Sequence, residues 1–180
     1  MENINTKNKE YILSLDVSTS CIGVAIFEDL GHSGKLSLLQ HVKPIIKPQP
    51  TYKIEELFKK ADIFADFLNK YSDFGIKQVV IEEPLLQSNN VNTVGTLLKF
   101  NGIISKMVYD ILNITPIFIS SYDSRKFAFP ELMAIRTFKK NGEKLTEKEI
   151  SKNKPVLFGA HPFDVDKKYL LWNMVSEIEP

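Results

Sequence analysis

A chain of 180 residues, 43% hydrophobic and 25% charged, can build one domain with a full core, and this composition excludes a disordered or fibrous protein. Its formal charge of +1 gives no global basic field, so contact with nucleic acid would have to come from a local patch. The lone cysteine, Cys21, excludes an internal disulfide and suits a reducing compartment; no signal peptide or membrane span is visible, and a cytoplasmic protein is expected.

Tyr11 to Glu28 (YILSLDVSTSCIGVAIFE) reads as two β-prone strands joined by the turn formers Ser18, Thr19 and Ser20. Asp16 ends the first strand. An ionised carboxylate is costly in the buried middle of a strand, so Asp16 belongs at the mouth, either capping the turn through backbone amides or open to water, a metal or a substrate. Asp29 to Lys35 is a turn cluster, and Leu36 to Val42 can pair as a third antiparallel strand. Pro44, Pro48 and Pro50 then break the chain.

From Ile54 the period changes. Ile54, Leu57, Phe58, Ala61, Phe64, Ala65 and Leu68 recur at spacings of three and four, with Glu55, Glu56, Lys59, Lys60 and Asp62 between them, which predicts an amphipathic helix capped near Gly75. Lys77 to Glu82 (KQVVIE) has the character of a short buried parallel strand, delivering Glu82 and Glu83 to its C-terminal end before Pro84 turns the chain. Asn89 to Thr93 offers N-caps for a long helix carrying Val94, Leu97, Leu98, Ile103, Ile104, Met107, Val108 and Ile111, apolar enough to serve both the core and a partner subunit. Gly95 and Gly102 share one face of it, suited to close packing on the sheet or to approach by another backbone or by DNA.

Thr115 to Ser120 predicts another short buried strand, Ser121 to Lys126 is polar and basic, and Phe127 to Ile135 begins a helix that Pro130 limits. Arg136 to Lys154 sets Arg136, Lys139, Lys140, Lys144, Lys148, Lys152 and Lys154 against Glu143, Glu147 and Glu149, a local basic excess that reads as a solvated loop or as a contact for nucleic acid. Asp166 to Ile178 is an amphipathic helix, with Trp172 as a core anchor or a stacking platform. His32, His41 and His161 are scattered and read as surface residues. The order of elements predicts a single α/β domain over 1–180: a three-stranded antiparallel meander extended by parallel strands, helices on both faces, and a basic insertion at about 136–163.

A right-handed crossover can set the strands ending in Asp16 and Glu82 side by side and parallel, so that both acids share one edge. Paired carboxylates repel unless a cation lies between them, and oxygen ligands on short side chains suit Mg²⁺ or Mn²⁺, ions that activate water and stabilise a leaving oxygen in phosphoryl chemistry. Glu83 points to the opposite face from Glu82 and is the rival acid.

These residues carry a resemblance. LSLDVSTSCIGVAIFE, VVIEEPL, TLLKFNGIISKMV, IFISSYDSRK and DVDKKYLLWNMV resemble, in this order, the blocks of RuvC-type Holliday-junction resolvases within the RNase H-like nuclease superfamily. The resemblance covers most of 11–135 and 164–178 and omits the basic stretch between. It implies divalent-metal ligation by Asp16 and Glu82, a homodimer through the long helix near 93–112, and cleavage of four-way or branched DNA. It also implies basic contacts to the DNA backbone, for which Lys99, Lys106, Arg125, Lys126, Lys139, Lys140 and Lys167 are the candidates. The family's further metal-binding acids lie at the start of a final helix, and this chain stops before one, so the expectation is a site whose last acid is missing or replaced. Asp164 and Asp166 are alternative acids, although an N-cap and first-turn position already explains them. Abundant Lys, Asn and Ile points to an AT-rich source such as a phage, and so to the bacterial or phage-infected host cytoplasm.

Three other readings compete. A non-catalytic junction-binding relative or a ribonuclease of the same fold shares every block. Actin-like and sugar-kinase ATPases share the first hairpin, but they need a duplicated domain and a glycine-rich nucleotide loop, against 8 glycines in this chain.

Overall fold

A computed structural model describes residues 9–84, 90–161, 166, 169–170, 172–173 and 176. The chain divides into two compact units, Met1–Ile119 and Ser120–Pro180.

The first unit runs β1 (Tyr11–Val17), β2 (Ile22–Asp29), β3 (Gly34–Val42), α1 (Lys53–Asn69), β4 (Ile76–Glu82), α2 (Val91–Leu112) and β5 (Ile117–Ile119). Its strands form one sheet in the order β3-β2-β1-β4-β5. The meander β1 to β3 is antiparallel and the pairs β1–β4 and β4–β5 are parallel, as expected.

Period-two patterning decides which face is covered. Leu13, Leu15 and Val17 of β1 lie opposite Ile26, Val24 and Ile22 of β2, and Leu13 and Leu15 opposite Val79 and Ile81 of β4. All eight are buried, and they share a single core with Leu57, Ala61, Phe64 and Leu68 of α1 and Phe100, Ile104 and Val108 of α2. Each such side chain contributes about 1.5–3 kcal/mol when fully removed from water. Both long helices therefore pack on the same face, and within this unit the opposite face carries no helix among the described residues.

Local chemistry sets the helix ends. Asn90 caps α2, its side chain accepting from the amides of Asn92 and Thr93 at 3.1 and 3.2 Å, and Asn113 closes the helix in the left-handed region at φ 56°. Helix α1 ends at Asn69, just before the Tyr71 to Gly75 stretch expected to stop it, with Lys70 rather than Gly75 as its cap. Gly75 instead starts the approach to β4 at φ +74°, where a Cβ would lie 2.8 Å from the Lys9 carbonyl oxygen.

Strand β5 corrects an expectation. It was read as buried, yet Ile117, Phe118 and Ile119 are 52%, 43% and 36% exposed, because the strand is only three residues long and forms the edge of the sheet.

The second unit holds α3 (Ser121–Ala128), a 3₁₀ turn (Pro130–Leu132), β6 (Met133–Ile135), α4 (Glu147–Ile150) and β7 (Pro155–Leu157). The helix begins earlier than Phe127 because Ser120 caps it, accepting from the Asp123 amide at 3.0 Å and donating to the Asp123 carboxylate at 2.6 Å. The basic stretch makes local backbone pairs while most of its side chains are exposed. β6 and β7 pair antiparallel, and between them 137–145 folds back as a hairpin, with Phe138 bridged to Lys144 and the Lys139 amide donating to the Glu143 carbonyl at 2.7 Å. Asn141-Gly142, with Gly142 at φ 86°, makes the turn. Trp172 is 64% exposed with its ring 6.3 Å from that of Tyr169, so it does not anchor a core.

Candidate active site

The parallel ladder between β1 and β4 runs through Leu15↔Ile81, and one further residue on each strand is Asp16 and Glu82. Because Leu15 and Ile81 face the helices, Asp16 and Glu82 fall on the opposite face of the sheet, next to each other at the C-terminal ends of adjacent strands. Asp16 is exposed and Glu82 half-buried. Glu83 is exposed, one residue beyond the strand, and its amide donates to the Ile119 carbonyl at 2.9 Å. The sheet thus brings together the two acids chosen from the sequence.

Gly23, unremarked in the sequence, stands across from Asp16 on β2. A Cβ there would contact the Asp16 Cβ at 3.5 Å, so glycine leaves the flank of the acid clear.

The turn after Asp16 is held at three points. Ser18 closes it on itself: its amide and hydroxyl both donate to the Cys21 carbonyl, at 3.0 and 2.7 Å, and its oxygen accepts from the Cys21 amide at 3.0 Å. From α1, Lys60 Nζ donates to the Thr19 carbonyl at 2.7 Å. From α2, buried Asn101 Nδ2 donates to the Leu97 carbonyl at 3.1 Å and reaches the Val17 carbonyl at 3.5 Å. With two carbonyls ahead of it, the amide must turn its nitrogen that way, which leaves Oδ1 buried without a hydrogen-bond partner among the described residues.

Lys60 is itself bound to Glu56, Nζ to Oε1 at 2.7 Å, and Lys53 holds the other oxygen of the same carboxylate at 2.7 Å. Glu56, expected among the polar residues between the apolar positions of α1, is buried. Hydrogen bonds from Lys53 and then Lys60 hold its carboxyl below the usual glutamate range against the opposing effect of burial. The i,i+4 spacing of Glu56 and Lys60 was visible in the sequence, but nothing local showed which face of the helix carried the pair inward.

No protein-family model and no curated protein sequence matches the chain. Among solved structures it is similar to RuvC of Thermus thermophilus in complex with a Holliday junction substrate, at 13% identity and a TM-score of 0.52, covering 67% of this chain and 72% of that one. The protein has an RNase H-like fold of the RuvC kind. A second T. thermophilus RuvC structure is 14% identical with a TM-score of 0.46, over 92% of this chain and 96% of that one. A PPX-GPPA enzyme of Aquifex aeolicus is 7% identical with a TM-score of 0.40, over 64% of this chain and 37% of that one.

In this RuvC-like fold the remaining described candidates fall in four places. Lys99 and Lys106 line an apolar groove of about 720 Å³ between α1 and α2, with Ile54, Phe58, Gly102 and Met107 among its other walls. The groove lies on the helical side of the sheet, away from the acids. Lys106 pairs with Asp110 and sits 5.8 Å over the Tyr109 ring, and a Cβ at Gly95 or Gly102 would meet nothing within 4 Å. Arg125 and Lys126 are exposed in the last turn of α3. Lys140 is exposed on the 137–145 hairpin, where Lys139 lies 3.7 Å from Glu143. The Asp166 carboxylate accepts from the Tyr169 amide at 3.0 Å. Asp164 and Lys167 lie outside the described residues.

Two carboxylates with only oxygen donors suit Mg²⁺ or Mn²⁺, which keep several waters and take substrate phosphate oxygens beside one or two protein carboxylates. Among the described residues no three His, Cys, Asp or Glu side chains group closely enough to hold an ion between them. No helix among those residues is long and apolar enough to cross a membrane.

Proposed function

We propose that the protein is a divalent-metal-dependent, structure-selective endonuclease that cuts four-way or branched DNA. The observation that carries this reading is the β1–β4 register, which sets Asp16 beside Glu82 at the ends of adjacent parallel strands. The RuvC-like fold and the junction in the T. thermophilus RuvC complex support DNA as the substrate class.

Asp16 and Glu82 would hold Mg²⁺ or Mn²⁺. When bound, such an ion would lower the pKa of a bound water, making it a better nucleophile towards a phosphodiester, and would stabilise the leaving oxygen. Asp16, exposed at the strand's mouth, and Glu82, half-buried beside it, meet that task with one accessible and one shielded carboxylate. Gly23 keeps the flank open for the scissile phosphate. Arg125, Lys126, Lys139, Lys140 and Lys167 are assigned to the DNA backbone, where neutralised phosphates release counterions and fix the position of the duplex without reading its sequence. Lys99 and Lys106 are assigned instead to the α1–α2 groove, which with its exposed Ile54 and Phe58 serves as the contact for a second copy in a homodimer.

The test is nicking of a synthetic four-way junction in Mg²⁺ or Mn²⁺, with linear duplex and RNA:DNA hybrid as comparators. Asp16→Asn and Glu82→Gln are expected to lose more than about a hundredfold in rate, since even partners of metal ligands are worth ten to a hundredfold. Equal cutting by wild type and both variants would remove the assigned roles. Tight junction binding without nicking by the wild type would instead establish a binding-only relative, and preference for the hybrid a ribonuclease.

A further inference from the structure

Lys60 has a stranger environment than a surface lysine. Its side chain is only 12% exposed, on a helix whose other lysine partner for Glu56, Lys53, is 63% exposed. Its ammonium is shared between a buried carboxylate and one backbone carbonyl, Thr19, that lies 41 residues away in sequence, three residues after Asp16. We propose that Lys60, paired with Glu56, is a positioning residue for Asp16: it fixes the β1–β2 turn and thereby the direction in which Asp16 leaves its strand.

Energetics favours this over a purely structural role. A buried ion pair repays its desolvation poorly, and packed apolar residues of similar volume commonly serve stability as well or better. The Thr19 carbonyl gains little that water could not supply, because Thr19 is half-buried and Ser20 beside it exposed. What a lysine on a rigid helix adds is a fixed place for that carbonyl. The arrangement is also doubled, since Asn101 of α2 reaches the Val17 carbonyl immediately after Asp16, at the expense of an unsatisfied buried oxygen. Two helices thus pin the backbone on the C-terminal side of one acid, a pattern expected where geometry matters more than net stability.

The inference rests on Asp16 holding a divalent ion. The experiment uses the full chain, with Mn²⁺ alone as the probe in calorimetry and amide hydrogen exchange at Ser18 and Cys21. Two variants, Lys60→Met and the double replacement Glu56→Leu/Lys60→Met, are compared with wild type and Asp16→Asn. The double variant removes the pair without leaving a buried charge, so it is expected to unfold cooperatively at or above the wild-type midpoint. Both variants are expected to bind Mn²⁺ about ten- to a hundredfold more weakly, as loss of a ligand's supporting partner commonly does, with faster exchange at the two turn amides. Lys60→Arg is expected to recover part of the affinity. Wild-type Mn²⁺ affinity in the double variant overturns the positioning role whatever happens to the turn, and so does unchanged exchange. Equal Mn²⁺ binding by wild type and Asp16→Asn overturns the metal site itself, and the positioning role with it. The two failures are distinguishable because only the second involves the Asp16 variant.

Discussion

Glu56 shows how one buried carboxylate can report on its surroundings. Lys53 and Lys60 favour its charged form strongly enough to outweigh burial, so its pKa in the folded chain is lower than in the unfolded one. Between those two values the unfolded chain binds the extra proton, and stability therefore rises with pH. The contribution is complete above the ordinary glutamate range and fades as pH falls through it towards the folded value. Urea unfolding of wild type and Glu56→Gln across a pH series should show the wild-type advantage largest near neutrality and closing in acid. A difference constant over that range would mean that the ammonium groups do not hold the carboxylate as described. Among the described residues Asp16 forms no such ion pair, which suits a group whose partner is to come from solution.

Among the elements, the 137–145 hairpin makes the plainest case. It raises Lys140 into solvent near a tight Asn-Gly turn, within a stretch of seven basic and three acidic residues in a chain of net charge +1. Lys139→Gln/Lys140→Gln should weaken junction and duplex binding alike and reduce the slope of log affinity against log salt by about two, read by fluorescence anisotropy. An unchanged slope would detach the hairpin from DNA. Elements with a clear period were legible in the sequence: the alternation of β1 and β2, the three-four spacing of α1 and the short run of β4, and with them the meeting of Asp16 and Glu82. The hairpin was less so, because its Asn-Gly turn is flanked by lysines and glutamates rather than alternating apolar residues. Strand β5 misled because an apolar triplet reads as buried whether it lies in the middle of a sheet or at its edge. Glu56, Lys60 and Asn101 could not be read at all as turn-holding residues, since their partners are backbone carbonyls 41 and 84 residues distant or neighbouring side chains whose inward face depends on packing.

At the scale of the whole molecule, the groove between α1 and α2 bears on assembly. Phe58 is 51% exposed beside it, and Gly102 leaves its floor open. If a second copy covers it, Phe58→Asp would bury an unpaired charge in the contact, and sedimentation should show the dimer dissociating at least about tenfold more readily, roughly 1.4 kcal/mol. A variant that sediments exactly as wild type would move the contact elsewhere. The sheet's other end carries a separate liability. Ile117, Phe118 and Ile119 form an exposed apolar rim on the strand that ends the sheet, the geometry by which strands of different molecules adhere. Concentrated solutions should therefore turn cloudy over time through a route indifferent to Phe58→Asp, and Phe118→Lys, a gatekeeper charge, should keep them clear.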